Sequence, residues 1–325
     1  MPHPTLSIVV TGRNDNYGGK LIARAQASLA VATHLAIKYK IQTEYIVVDY
    51  NPVPDVKYFF EELALPKNDY LTLRGIVVPA AFHDSIKKNK IPLLEYIGKN
   101  IGIRRAQGDY ILATNPDIIF SDALFAKIAA GGLDEKHFYR ADRYELGVDE
   151  FPEIMSPEEI LARAPREVIK ILYSPRTHYT SWSKWIDRLR GDPTRGNLTL
   201  CPLFNSFYPP DRTAIYENAS GDFTMAHRSL WYAAHGYDQA PHNLHHDALM
   251  LYVFQALGYE QSILLEPIYH INHELGRAGR PGIEFAEFKK LAHEMQATKV
   301  PRIVNDASWG FAHEQFAEKV YGKNI

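Results

Sequence analysis

Through the first 124 residues, short apolar runs alternate with longer stretches of helical period. Leu6–Val10 ("LSIVV") is an apolar run closed by Thr11-Gly12, the pattern of a buried parallel strand. A segment rich in Ala and Leu follows, and its apolar spacing predicts a helix from about Lys20 to Lys38. "TEYIVVDYNPVPD" predicts a second strand closing at Asp49, broken by Asn51-Pro52 and Pro54. "RGIVVP" (Arg74–Pro79) predicts a third. "LLEYIGKNIGIRRAQG" predicts a helix stopped at Gly108, and "DYILAT" the strand after it. Strands and helices in this order predict an α/β fold with a mainly parallel sheet flanked by helices.

From Phe125 to about Ala219 the periodicity weakens. "SPEEILARAPREVIKIL" carries a helix start at Ser156-Pro157, close to a capping arrangement. Two further stretches are rich in aromatic, Gly and Pro residues, so 125–219 is expected to be a variable insertion covering a site. Beyond it, "SLWYAAHGYD" and "HHDALMLYVFQALGYE" predict helices ended by glycine. "SILLEPIYHINHELG" predicts a late strand leading into a loop with histidines.

Ligands of open α/β sheets sit outside the carboxyl ends of the strands. Three predicted strands end in polar residues there: Thr11, Arg13 and Asp15; Asp49 and Asn51; and Asn115-Pro116-Asp117. An isolated Asn-Pro-Asp is most often a β-turn. Three polar strand ends in one sheet predict a site instead.

"LSIVVTGRND", "EYIVVDYNP", "GKNIGIRRAQGDYILATNPD" and "GDFTMAHRSLWYAAHGYD" with "HHDALMLYVFQALGY" resemble, in order, the landmarks of family-2-like GT-A glycosyltransferases. The last block is also similar to the C-terminal segment of the galactosyltransferase group. The resemblance covers about Leu6–Leu124 and Gly221–Glu274. It implies a GT-A-like, Rossmann-like unit whose residues 1–124 bind a nucleotide sugar and whose residues 125–325 bind the acceptor.

Asn115-Pro116-Asp117 then occupies the place of an Asp-x-Asp motif, with Asp117 the metal-binding carboxylate and an uncharged Asn115 in place of the first Asp. His270 and His273 in "YHINHE" resemble the loop that completes the metal site, with Mn²⁺ or Mg²⁺ as the expected ion. Mg²⁺ bridges carboxylates and phosphates, and Mn²⁺ takes imidazole more readily. Thr11, Arg13, Asp15, Asp49, Asn51, Asn100, Arg104, Asn115 and Asp117 are implied for the nucleotide sugar: Asp49 as acceptor from the base, Arg104 on the diphosphate. Asp247 in "HNLHHDALM" matches the general base of the inverting relatives, at a helix start whose dipole favours an anion. His246 stands where an acidic residue is common, as base or as a group orienting the acceptor. Asp222 in "SGDF" is expected on the acceptor side. Trp182, Trp185, Phe207, Tyr208 and Trp231 are candidate stacking faces for a sugar. Arg140 and Arg143 flank Asp142 and are expected to pair internally.

The expected reaction moves a hexose-type sugar from a UDP, GDP or dTDP donor to a hydroxyl of a glycan or another acceptor, as in polysaccharide assembly. One rival is a GT-A-like carbohydrate-binding protein that has lost catalysis, favoured by Asn115 and His246. A less favoured one is a sugar nucleotidyltransferase, but "TGRNDNYGGK" lacks the G-x-G-x-x-G and GK[ST] phosphate loops.

Charge narrows the partners. With 36 basic and 38 acidic residues and a net charge of −2, the chain offers no footprint for nucleic acid. No apolar run is long enough to cross a membrane, which leaves peripheral contact as the only membrane expectation. The N-terminus reads as the lead-in to a strand rather than a signal peptide. Cys201 is the one cysteine, set among apolar residues, so no internal disulfide forms and a cytoplasmic setting is expected.

Overall fold

The computed structural model describes residues 5–86, 90–173, 176–179, 199–200, 214–273 and 282–322. Cys201, Trp182, Trp185, Phe207 and Tyr208 lie outside them.

Four parallel strands form the first half: β1 (Leu6–Gly12), β2 (Thr43–Tyr50), β3 (Leu71–Val78) and β4 (Tyr110–Thr114), side by side in the order 3-2-1-4. Every residue of β1 and β2 is buried, which explains why they read as unbroken apolar runs. Helix α1 (Leu21–Tyr39) covers one face, where Leu29, Val31 and Leu35 join the core of Ile8, Val10 and Val47. After α2 (Ala80–Ile86), helix α3 (Glu95–Arg105) covers the other face, with Ile97 and Ile101 in the core of Val9, Ile46 and Val48. The glycines of "GKNIG" set the approach of α3. A Cβ at Gly98 would lie 2.3 Å from Thr11 Cγ2, and one at Gly102 would lie 2.5 Å from Val9 Cγ1.

The chain continues through β5 (Ile118–Phe120), α4 (Asp122–Ala129) and β6 (His137–Leu146). Then come α5 (Pro157–Arg163), β7 (Val168–Tyr173), β8 (Arg176–Tyr179) and β9 (Thr199–Leu200). α5 opens on the capping box that the sequence predicts, Ser156 with Glu159. The last elements are β10 (Phe223–His227), α6 (Arg228–Ala233), α7 (His246–Ala256), β11 (Glu260–His270), α8 (Phe285–Thr298) and β12 (Ala317–Tyr321).

Among the described residues the strands form one mixed sheet in the order β12-β3-β2-β1-β4-β10-β6-β7-β8-β9, with β11 beside β6 and β5. The fold is α/β, as the sequence pattern predicts. β6 lies within the stretch expected to be an insertion, yet it pairs with β10, β7 and β11 and is integral to the sheet. The strand order reverses between β1 and β4, so the crevice beyond their carboxyl ends is the place for a ligand.

Candidate functional site

β4 ends at Thr114, and the next three residues, Asn115-Pro116-Asp117, turn the chain into β5 at that crevice. β5 pairs antiparallel with the end of β11, with Ile118 opposite His270. The Ile271 N–H also donates to the Asp117 carbonyl at 3.1 Å. Backbone pairing thus delivers both histidines to Asp117. Asp117 Oδ2 lies 3.1 Å from His273 Nε2 and 3.7 Å from His270 Nε2. One ligand atom from each residue lies within 4.8 Å of the others. Asp117 Oδ1 is buried without a hydrogen-bond partner among the described residues. One carboxylate with a free oxygen and two imidazoles is a donor set that fits a divalent transition ion.

The loop after β1 closes over this cluster. The Tyr17 and His273 rings meet edge-on at 5.5 Å, and a Cβ at Gly18 (φ +68°) would lie 2.7 Å from His273 Nδ1. Arg24, fully buried on α1, donates to the Tyr17 carbonyl at 2.8 Å and to the Gly19 carbonyl, and its Nε stands 3.8 Å from Asp117 Oδ2. Burial pushes the Asp117 carboxyl up, but His270, His273 and Arg24 more than reverse this and leave it at about 2.

A chain of polar contacts runs from the cluster across the sheet. His270 Nδ1 is 2.8 Å from Glu145 Oε1, and Glu145 Oε2 accepts from Arg143 Nη2 at 2.5 Å. Arg143 Nη1 donates to Asp222 Oδ2. Asp222 Oδ1 accepts from Asn115 Nδ2 at 2.7 Å, and Asn115 Oδ1 accepts from the Lys99 ammonium at 2.9 Å. Lys99, fully buried, also donates to Glu95 Oε1 and the Gly221 carbonyl. Burial works against the charges of Asp222 and Glu145. Arg143 and His270 together outweigh it in Asp222, holding it below the usual carboxylate range, and with Lys170 they hold Glu145 well below it. Arg143 therefore pairs with Asp222 and Glu145, while Arg140 donates to the carbonyls of Tyr216 and Asn218.

Beside this network opens a cavity of about 920 Å³ lined by Glu95, Asn115, Arg143, Asp222, Asp247 and Phe285 among others. Asp247 stands in the first turn of α7, and its Oδ2 accepts from Ser220 Oγ at 2.7 Å and from the Gly221 N–H at 2.8 Å.

The remaining residues expected at the site divide. Arg13 bridges the first two strand ends, donating to the Asn51 carbonyl at 2.7 Å and to Asp15 at 3.0 Å. Asn51 donates to the Pro92 carbonyl. Asp49 is fully buried and accepts from the Phe59 N–H, and its Oδ1 has no partner among the described residues; burial pushes it up to about 7. Thr11 is buried beneath Gly98, with no partner for Oγ1 among the described residues. Three expected residues turn elsewhere. Asn100 is buried and spans the backbone of Tyr237, donating to its carbonyl at 2.7 Å and accepting from its N–H at 2.8 Å. The Arg104 guanidinium stacks over Tyr232 and Trp309 at 4.9 and 5.0 Å. His246 is buried against Tyr96, bonded to His242, and is not among the cavity's lining residues. Trp231 is core, its indole N–H donating to the Ile111 carbonyl at 3.1 Å.

Sequence reasoning missed Arg24, Lys99, Glu145 and the pairing of Arg143. One signal was present: Glu95 and Lys99 stand four apart on a helix, a spacing that pairs them.

No protein-family model matches the chain, and comparison with curated proteins yields no match. Among solved structures it is similar to S. aureus TarS, with a TM-score of 0.43 and 12% identity over 94% of this chain and 41% of that one. It is also similar to TarS 1–349 (0.42, 12%, covering 90% and 70%) and to TarS 1–349 in complex with UDP-GlcNAc (0.44, 11%, covering 94% and 69%). The chain spans about two fifths of the length of the first of these. No described helix is long and apolar enough to cross a membrane.

Proposed function

We propose that the chain is a metal-dependent glycosyltransferase of GT-A type that moves a sugar from a nucleotide-diphosphate donor to a hydroxyl of a carbohydrate or similar acceptor. The observation that carries this reading is the meeting of Asp117 with His270 and His273 at the strand-order switch, beside a cavity with a carboxylate at a helix start. Asp117, His270 and His273 would hold Mn²⁺ in preference to Mg²⁺, since two of the three donors are imidazoles. When bound, the ion supplies Lewis-acid stabilisation of the departing diphosphate.

The protein's own residues do the rest. Arg13, Asp15, Asp49 and Asn51, at the ends of β1 and β2, form the side on which the nucleotide would lie, with Asp49 accepting from the base. Ser220 and Gly221 fix one oxygen of Asp247. Its other oxygen would take the proton of the acceptor hydroxyl as that oxygen attacks the anomeric carbon from the face opposite the diphosphate. The carboxylates and amides lining the cavity suit a hydroxylated acceptor. Both features that favoured a lost-catalysis rival weaken: Asn115 has a bonding role of its own, and His246 lies off the cavity.

The test is a thermal-shift panel of UDP, GDP, dTDP and CMP, each with and without Mn²⁺, on wild type, Asp117→Ala and Asp247→Asn. A ligand that binds only the folded state raises the midpoint by mass action. One nucleoside diphosphate is expected to shift the wild type only with metal. Asp117→Ala should abolish the shift, and Asp247→Asn should keep it while losing turnover. No shift from any nucleotide in either condition would overturn the reading.

A further inference from the structure

Glu145 is not one of the three clustered ligand residues, and it does not line the cavity. It is nevertheless buried, 2.8 Å from the ring nitrogen of His270 that faces away from Asp117. We propose that Glu145, held by Arg143, is a positioning residue for the metal: it fixes the His270 ring so that Nε2 presents its lone pair beside Asp117. The inference rests on the metal reading of the Asp117, His270 and His273 cluster.

The contact fixes the role of one ring nitrogen. A carboxylate only accepts, so the His270 Nδ1 must carry the hydrogen in this contact. In a neutral imidazole the other nitrogen is then the bare one, and His270 Nε2 is the atom 3.7 Å from Asp117 Oδ2. Carboxylate, histidine and metal in series is how many metal sites orient a ligand.

Glu145 is itself locked. Arg143 and Glu145 are two apart on β6 and so point to one face of the sheet. Arg143 Nη2 holds Oε2 at 2.5 Å, and Lys170 on the neighbouring β7 stands 3.5 Å from the same oxygen. The second arm of Arg143 holds Asp222. Arg143 and Asp222 line the cavity, but Glu145 does not, and a carboxylate buried behind them gains little from the pairing alone, because desolvation usually offsets the attraction.

The experiment is a titration with Mn²⁺ alone, read by the loss of the free-ion paramagnetic resonance signal, on the full chain. Wild type, Glu145→Gln, Glu145→Asp and Arg140→Met are compared, each checked for folding by circular dichroism. Arg140 is fully buried on the same strand but donates to backbone carbonyls outside the chain of contacts, so it controls for general damage. Glu145→Gln is expected to weaken Mn²⁺ binding about 10- to 100-fold, with partial recovery in Glu145→Asp and no more than a threefold change in Arg140→Met. Glu145→Gln within threefold of wild type overturns the inference and leaves the metal site standing. So does an equal loss in Arg140→Met. Absence of Mn²⁺ binding by the wild type overturns both. If Glu145→Gln does not fold, nitrogen NMR of the metal-free wild-type imidazoles decides: His270 should carry its hydrogen on Nδ1, and a hydrogen on Nε2 alone refutes the role.

Discussion

Replacing Asn115 by Asp would restore the charge that an Asp-x-Asp motif carries, and it should harm the protein. Asn115 acts in two directions, accepting from Lys99 at 2.9 Å and donating to Asp222 at 2.7 Å. A carboxylate can do only the first. At an effective dielectric of 20, a unit charge at these distances feels about 6 kcal/mol of repulsion from Asp222 and about 6 kcal/mol of attraction to Lys99. These nearly cancel, so two other effects decide. Asp222 loses a charge-assisted hydrogen bond, worth roughly 1.5–3 kcal/mol. A further charge also enters a half-buried network in which Lys99 already serves Glu95. Asn115→Asp should therefore destabilise the fold by about 2 kcal/mol at pH 8. With Asp222 and Lys99 cancelling, burial and the lost hydrogen bond to Asp222 penalise the charged form and raise the folded pKa of the new carboxyl. Its protonated form donates where the amide did, so the deficit should be small near pH 4 and should grow as pH rises through that folded pKa. Urea denaturation of both proteins at pH 5 and pH 8 reads this difference. If Asn115→Asp is as stable as wild type at pH 8 and binds Mn²⁺ more tightly, Asn115 is a vacated ligand position and the bridging argument fails.

Other expectations are as direct. Asp49, pushed up to about 7 by burial, has a folded pKa above its unfolded value, so its neutral form stabilises the fold below about pH 4 and that stability is lost as pH rises through 7. Asp49→Asn should remove this dependence and raise the melting midpoint at pH 8, by at most about 4 kcal/mol of stability, while losing any nucleotide-induced shift if Asp49 receives the base. Gly18→Ala puts a methyl group 2.7 Å from His273 Nδ1 at a positive φ; it should cost about 1–2 kcal/mol and weaken Mn²⁺ binding at least tenfold, as the same titration would show. Lys99→Met leaves Glu95, Asn115 and the Gly221 carbonyl without their shared donor and should cost about 3–5 kcal/mol in urea denaturation; a loss under 1 kcal/mol would mean that Lys99 is peripheral to the network.

How much could be read from the sequence depended on whether burial was apolar. β1, α1, β2 and β4 announce themselves because their buried positions are hydrophobic, and their boundaries fall within a few residues of the pattern. β6 did not, because Arg140, Asp142, Arg143 and Glu145 sit at buried positions of a strand and break the pattern. The partners that make Arg143 and Glu145 tolerable are far along the chain: Asp222 is 79 residues from Arg143, and His270 is 125 from Glu145. No local pattern carries such a pairing.

Within helices, neighbours in the sequence part company for a different reason. Consecutive residues of a helix point about 100° apart, so a motif read as a string merges faces that the helix separates. On α3, Glu95 and Lys99 share the face toward Asn115, while Asn100 and Arg104, one residue further on, share the next and reach Tyr237, Tyr232 and Trp309. On α7, Asp247 lines the cavity and its neighbour His246 faces Tyr96 and His242. A site residue on a helix therefore predicts its companions at four positions' distance rather than one. Glu95, paired with Lys99 on α3, lines the same cavity as Asp247 on α7.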